Sequence, residues 1–213
     1  MPDIDFARVF ITFIVLLFSL TVHETAHAWT ADRLGDPTAR LLGRVSLNPV
    51  VHADLIGTVL FPLIAMLGAG FLIGWAKPVP VNVSRLHRGR RDYVLVAAAG
   101  PASNLLIAVV ASLILSVFTV SPQTIGEANV SAPLAVILSL AISMNVLLAV
   151  FNMIPIPPLD GGNVLAGLLP AGAARVFDQI RPYGFVLLYA LMLTGNLGRI
   201  IGPPTAFIRS WLQ

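Results

Sequence analysis

The chain has 213 residues, of which 57% are hydrophobic and 11% are charged, and its formal net charge is +3. A soluble domain carries about 25% charged residues, and apolar runs of roughly 20 residues, long enough to cross a bilayer, recur here. These features exclude a soluble globular protein. The basic residues lie in short segments between apolar runs and form no stripe, which excludes a nucleic-acid-binding protein. The chain has no cysteine, which excludes disulfides and thiolate ligands.

Five apolar segments follow one another along the chain, at residues 6–29, 55–74, 93–120, 133–154 and 183–201. No polar stretch between them exceeds about 25 residues, well below the roughly 50 that a separate domain needs. We therefore expect an all-α polytopic membrane protein in which residues 1–213 form a single membrane-embedded domain. The sequence PVPV at 78–81 favours extended backbone and predicts a short β-hairpin near 76–84.

The first apolar segment ends in the sequence HETAH, residues 23–27. On a helix, His23 and His27 are four residues apart and project from one face, where they can hold two corners of a tetrahedral zinc site. Glu24 can reach a water bound to that metal and take its proton. Ionisable residues inside an apolar helix are costly, so this cluster indicates a catalytic site rather than a helix-end histidine pair.

Two histidines leave such a site one protein ligand short. His52, His87 and a few carboxylates are the candidates, and Asp160 stands out among them because of its neighbours in FNMIPIPPLDGG, residues 151–162. Three prolines break the helix there, and Gly161 and Gly162 permit unusual backbone angles just after the carboxylate. Broken backbone at membrane depth is tolerated only in protein or beside a wet cavity. A loop-capping aspartate is the alternative for Asp160.

HETAH in the first segment, GPASN at 100–104 and NMIPIPPLDGG at 152–162 together resemble the site-2 protease family of intramembrane zinc metalloproteases. The stretches at 43–57 and 74–82 resemble its compact prokaryotic members, which carry neither a PDZ nor a CBS module. The resemblance implies one Zn²⁺ per chain, bound by His23, His27 and Asp160, with Glu24 as catalytic acid and base. It also implies a role for Asn152 in positioning substrate or stabilising the oxyanion.

The resemblance implies that the domain is a zinc metalloendopeptidase that hydrolyses peptide bonds in or near transmembrane segments of membrane-protein substrates. In this mechanism Glu24 deprotonates the zinc-bound water, which attacks the peptide carbonyl, and then protonates the leaving amine. The expected partners are the lipid bilayer and transmembrane substrates, with no nucleic acid. The expected location is the prokaryotic cell (inner) membrane, with the active site toward the cytoplasm.

Topology restricts how these residues can meet. HETAH lies at the end of the first segment and Asp160 just past the end of the fourth, so a full crossing at 55–74 would leave them on opposite faces. The segments 30–54, 75–92 and 163–182 hold ten of the 13 basic residues, whereas 121–132 holds none, which places the first three on the cytoplasmic side. We therefore predict about four full transmembrane helices and a re-entrant or interfacial segment at 55–74.

Two other functions fit part of this pattern. A membrane metal transporter would also carry His and Asp in its helices, but the sequence has no inverted repeat. A non-catalytic scaffold that only binds membrane substrates would not need the intact HETAH. Within GPASN, we interpret Gly100 and Pro101 as allowing close helix packing and Asn104 as an interhelical hydrogen-bonding residue. His52 and Asp54 follow a polar turn and are either partners of the zinc ligands or residues of a surface loop.

Overall fold

The computed structural model describes residues 5–65, 76–120 and 131–212, and the described residues are mainly helical, without a β-strand. The described residues include ten helices of four residues or more: α1 Phe6–Arg33, α2 Thr38–Leu41, α3 Pro49–His52, α4 Leu55–Ile64, α5 Arg90–Val120, α6 Ser131–Asn152, α7 Asp160–Leu168, α8 Ala171–Ile180, α9 Gly184–Leu193 and α10 Asn196–Leu212. The prediction of an all-α polytopic protein is confirmed.

Three of the described helices, α1, α5 and α6, are long and apolar enough to cross a membrane. A fourth span results if the stretch from α8 to α9 is counted together with α10, which meets it at an angle of 83°. The bend lies at Gly195, whose φ of +71° is readily adopted by glycine. The expected number of about four crossing helices therefore holds when this broken pair counts as one.

Helices α1, α5 and α6 form the core, in which α5 runs antiparallel to the other two. Buried alanines of α5, Ala108 and Ala111, allow it to approach Leu138, Ile142 and Val146 of α6 closely. The outward faces carry large exposed apolar side chains, such as Phe10 and Phe18 of α1, as expected for helices that contact lipid. This core places the second half of α1 against the first half of α5.

The connection between α1 and α5 leaves and returns at the same end of the bundle. The backbone N–H of His87, just before α5, donates to the carbonyl of Leu34, just after α1, at 2.9 Å. Helix α4 covers ten of the described residues of the run at 55–74. The return of the connection agrees with the prediction that the run at 55–74 does not make a full crossing. Residues 66–74 lie outside the described residues.

The predicted β-hairpin near 76–84 is wrong for the residues that the structure describes. Residues 76–82 form neither helix nor strand, and Val83–Arg85 is a 3₁₀ turn. Pro78 and Pro80 lack the N–H groups that a strand ladder needs. Side chains hold the segment at its two ends instead, since Arg44 donates to the carbonyl of Lys77 and Asp36 accepts from the N–H of Asn82 at 2.6 Å.

Candidate metal centre

His23 and His27 lie on the buried face of α1, as their spacing predicts. Their Nε2 atoms are 3.1 Å apart. Each ring is held through its other nitrogen: Nδ1 of His27 is 2.7 Å from the carbonyl oxygen of Val96, and Nδ1 of His23 is 2.6 Å from Oδ1 of Asn104. Both holding groups belong to α5, so the packing of α5 on α1 aims the two Nε2 atoms at one point.

Asp160 reaches the same point from the turn after α6. Its Oδ2 atom is 3.1 Å from Nε2 of His23 and 3.3 Å from Nε2 of His27. The sequence prediction that the aspartate after the proline-broken turn approaches the histidine pair agrees with these distances. Asp160 is the first residue of α7, and α7 packs against the start of α5, where Arg90 donates to the carbonyl of Ala166 at 2.6 Å.

Gly161 and Gly162 act differently from the prediction. Both are helical rather than in the left-handed region. A Cβ at Gly161 would lie 2.2 Å from the carbonyl oxygen of Met153, and one at Gly162 would lie 2.7 Å from the nitrogen of Pro157. The glycines therefore let α7 fold back against the turn at a distance that no other residue allows, which brings Asp160 to the histidines.

Gly100 of α5 faces the centre of the cluster. A Cβ there would lie 2.4 Å from Nε2 of His27 and 2.5 Å from Nε2 of His23. The sequence motif suggested helix packing for this glycine, whereas the structure shows that it keeps the space beside the two ring nitrogens open. Any side chain at position 100 would compete with whatever the two rings hold.

The three side chains fit a zinc ion. His23, His27 and Asp160 present ligand atoms that all lie within 4.8 Å of one another. Tetrahedral ligands at about 2.0–2.1 Å from zinc lie about 3.3 Å apart, close to the observed separations of 3.1–3.3 Å. Oδ2 of Asp160 is buried without a hydrogen-bond partner, and a buried anion of this kind needs a compensating cation.

A cavity of about 670 Å³ opens beside these three residues. Glu24 and Asn152 line it together with residues of the segment at 76–81 and the apolar side chains of α9. No ion pair or hydrogen bond to another described residue holds the carboxylate of Glu24. The amide nitrogen of Asn152 donates back to the carbonyl of Leu148 at 3.0 Å, so its second hydrogen is available to the cavity.

His52 and Asp54 do not contact the three candidate ligands. Nε2 of His52 is 2.8 Å from the carbonyl oxygen of Ser46 and 3.3 Å from the hydroxyl of Thr25. Burial lowers the pKa of His52 below its ordinary value, which favours the neutral ring. Asp54 accepts hydrogen bonds from the N–H groups of Ile56 and Gly57 and caps the start of α4. Both residues shape the connection between α1 and α5.

Sequence reasoning missed the partners of the histidine rings. Asn104 was interpreted as an interhelical residue, and it does bond Asn145 of α6, but its oxygen also contacts His23. The carbonyl of Val96 carries no sequence signal at all. The available signal for Asn104 was its place four residues after Gly100, on the same face of α5.

Comparisons with known proteins agree with this geometry. The model of peptidase family M50 matches residues 11–132 and 120–194. "Putative zinc metalloprotease YwhC" of Bacillus subtilis is 39% identical over 85% of this chain and 79% of its own length. "Putative zinc metalloprotease Rip2" is 29% identical in Mycolicibacterium smegmatis, over 86% of this chain and 66% of its own length. In Mycobacterium tuberculosis H37Rv the identity is 30%, over 90% of this chain and 70% of its own length.

No solved structure gives a significant match. The family model nevertheless spans most of the chain, including HETAH and the turn that carries Asp160. The apolar helices agree with an integral, multi-pass membrane protein. The chain therefore belongs to peptidase family M50, the site-2 protease family of membrane metalloproteases, and it is an enzyme that hydrolyses peptide bonds.

Proposed function

We propose that the chain is an intramembrane zinc metalloendopeptidase in which His23, His27 and Asp160 bind one zinc ion. The observation that carries the proposal is the convergence of three ligand atoms from α1 and α7 at separations of 3.1–3.3 Å, on the wall of a cavity that Glu24 also lines. Residues 1–213 act as a single peptidase domain in this proposal. Zinc, when bound there, supplies a Lewis acid and lowers the pKa of water toward about 7.

Glu24 is the general base and acid of the proposed reaction. Its carboxylate takes a proton from the attacking water and returns it to the amine that leaves when the peptide bond breaks. The amide of Asn152 donates its second hydrogen to the oxygen of the carbonyl under attack, where negative charge develops. Both side chains line the same cavity as the three ligands, which is the arrangement that these roles require.

The proposed substrates are transmembrane segments of other membrane proteins. A transmembrane helix keeps its carbonyls in intrahelical hydrogen bonds, so a substrate must unwind before its backbone can enter the site. A cavity of about 670 Å³ with largely apolar walls has room for a short extended segment. We expect cleavage at positions near glycine, proline or other residues that weaken a helix.

Removing the metal is expected to stop the reaction. The purified chain, reconstituted in liposomes with a panel of single-span substrates, should cleave a subset of them, lose all cleavage after treatment with a zinc chelator, and recover it when zinc is restored. Metal content measured on the same samples should rise to one zinc per chain. Cleavage by metal-free protein, or a chain that neither binds zinc nor cleaves any substrate, would exclude the proposed function.

The proposed location is the prokaryotic cell (inner) membrane, with the metal centre toward the cytoplasm. Because the native chain has no cysteine, single cysteines report topology cleanly. Ser84→Cys, in the connection between α1 and α5, should react with an impermeant thiol reagent only from the cytoplasmic side, and Gly126→Cys only from the opposite side. A permeant reagent serves as the control, since it should label both. Reaction of both from one side would contradict this orientation.

A further inference from the structure

A chain of buried polar side chains links the three core helices next to the metal centre. Ser19 of α1, Asn104 of α5 and Asn145 of α6 are each 0% exposed. Nδ2 of Asn104 is 2.8 Å from Oδ1 of Asn145, and Nδ2 of Asn145 is 2.9 Å from the hydroxyl of Ser19. Polar groups inside a membrane bundle are costly and call for a reason. This series of hydrogen-bonded side chains ends at the ring of His23.

One backbone carbonyl determines the direction of every hydrogen bond between Ser19, Asn145, Asn104 and His23. Nδ2 of Asn145 is 2.9 Å from the carbonyl oxygen of Ala141 on α6. A carbonyl only accepts, so the NH₂ end of Asn145 must face it. Oδ1 of Asn145 then faces Asn104, which must donate with its own NH₂ group. The amide oxygen of Asn104 is left to face Nδ1 of His23, at 2.6 Å.

This direction determines the tautomer of His23. Since the oxygen of Asn104 cannot donate, Nδ1 of His23 carries the hydrogen, and Nε2 keeps its lone pair for a metal. His27 reaches the same state by a shorter route, because its Nδ1 donates to the carbonyl of Val96. In the other tautomer a hydrogen on Nε2 would stand between the ring and the ion.

We propose that Asn104 is a positioning residue for the zinc ligand His23 and that Asn145 sets the orientation of its amide. The inference rests on the proposed zinc centre and extends it to a third helix. Helix α6 leads directly into the turn that carries Asp160. The packing of α6 therefore positions the ligand Asp160. Through Asn145 and Asn104, it also fixes the tautomer of the ligand His23.

The test measures zinc affinity and the tautomer of His23 on the full chain in detergent. Asn104→Leu should weaken zinc binding about tenfold in competition with a chromophoric chelator, because the outer partner of a ligating histidine typically contributes 10–100-fold to affinity. Asn104→Asp keeps an acceptor for Nδ1 but loses the donor to Asn145, and it should lose less affinity than Asn104→Leu. Asn145→Leu, which leaves Asn104 in place but free to turn, should give an intermediate loss.

The tautomer is read from ¹⁵N spectra of the metal-free chain labelled at histidine. His23, assigned by its absence in His23→Gln, should carry its hydrogen on Nδ1 in the unsubstituted chain and in Asn104→Asp. The Nδ1–H population should fall in Asn104→Leu and Asn145→Leu. A purely structural role for Asn104 would leave this signal unchanged.

Ser112→Ala is the matched control. Ser112 lies two turns further along α5 and donates to the carbonyl of Leu212, so its loss removes one helix–helix hydrogen bond far from the metal centre. Zinc affinity and the His23 signal should stay as in the unsubstituted chain. Unchanged affinity in Asn104→Leu, or an Nδ1 of His23 that carries no hydrogen in the unsubstituted chain, would overturn the inference. Absence of zinc binding by the unsubstituted chain would instead overturn the proposed function.

Discussion

Glu24→Gln is expected to lower the rate of peptide cleavage by about 10²–10⁴-fold, the usual contribution of a general acid–base residue, while zinc stays bound. Glutamine has nearly the shape of glutamate but cannot accept the proton of the attacking water. The candidate ligands are His23, His27 and Asp160, so the substitution removes no metal contact. The measurements are cleavage of a reconstituted single-span substrate and zinc content of the same preparation.

Asp32→Asn is the control for this substitution. Asp32 lies on the same helix, eight residues later, and pairs with Arg40 at 2.8 Å in a partly exposed ion pair. Such pairs contribute about 0–1 kcal/mol, so cleavage should stay within about twofold of the unsubstituted chain. The comparison separates loss of the Glu24 carboxylate from loss of any negative charge on α1.

Glu24→Gln also distinguishes the proposed protease from the two other functions, a metal transporter and a non-catalytic scaffold. A metal transporter would bind zinc in both forms and cleave nothing in either. A scaffold that only binds membrane substrates would show equal substrate binding and no cleavage in either. Cleavage at an unchanged rate in Glu24→Gln would remove Glu24 from the mechanism, and loss of zinc would show that its carboxylate holds the metal.

Local spacing explains why so much of this site could be predicted. The pairing of His23 with His27 depends only on the helical period. The prolines and glycines around Asp160, all within ten residues, made it a candidate, and the family resemblance implied it as the third ligand. The return of the 34–89 connection to the same side was predicted for two reasons. HETAH and Asp160 must lie at the same depth in the membrane, and the basic residues are concentrated in the segments on one side. Each of these inferences used short-range sequence patterns or a single long-range constraint.

The partners of the rings depend on another kind of information. The register of α5 against α1 makes Asn104 face His23 and the carbonyl of Val96 face His27. The interface consists largely of small apolar residues, so the sequence carries almost no signal for this register. The prediction of a β-hairpin in the proline-rich segment at 76–82 was wrong for a related reason. Its backbone is held by Arg44 and Asp36, side chains more than 30 residues away.

Gly100→Ala is expected to weaken zinc binding by about 100-fold or more, at or above the upper end of what neighbours of a metal site contribute. The added methyl group would lie 2.4–2.5 Å from Nε2 of His27 and His23, so both rings would have to move. A displacement of about 1 Å at a catalytic site costs on the order of 10² in rate, and cleavage should fall at least as far as affinity. Competition with a chromophoric chelator and the reconstituted cleavage assay measure the two effects.

Helix propensity alone predicts that Gly100→Ala stabilises the protein, whereas the geometry of the site predicts that it damages the site. The substitution therefore separates the two effects. Alanine in place of glycine within a helix stabilises it by about 0.5–1 kcal/mol. Gly198 of α10 offers the matched control, because a Cβ there meets nothing within 4 Å. Gly198→Ala should raise the melting temperature slightly and leave zinc affinity unchanged. If Gly100→Ala behaved in the same way, the space beside the two Nε2 atoms would not be where the metal binds, since a methyl group and a zinc ion cannot share it.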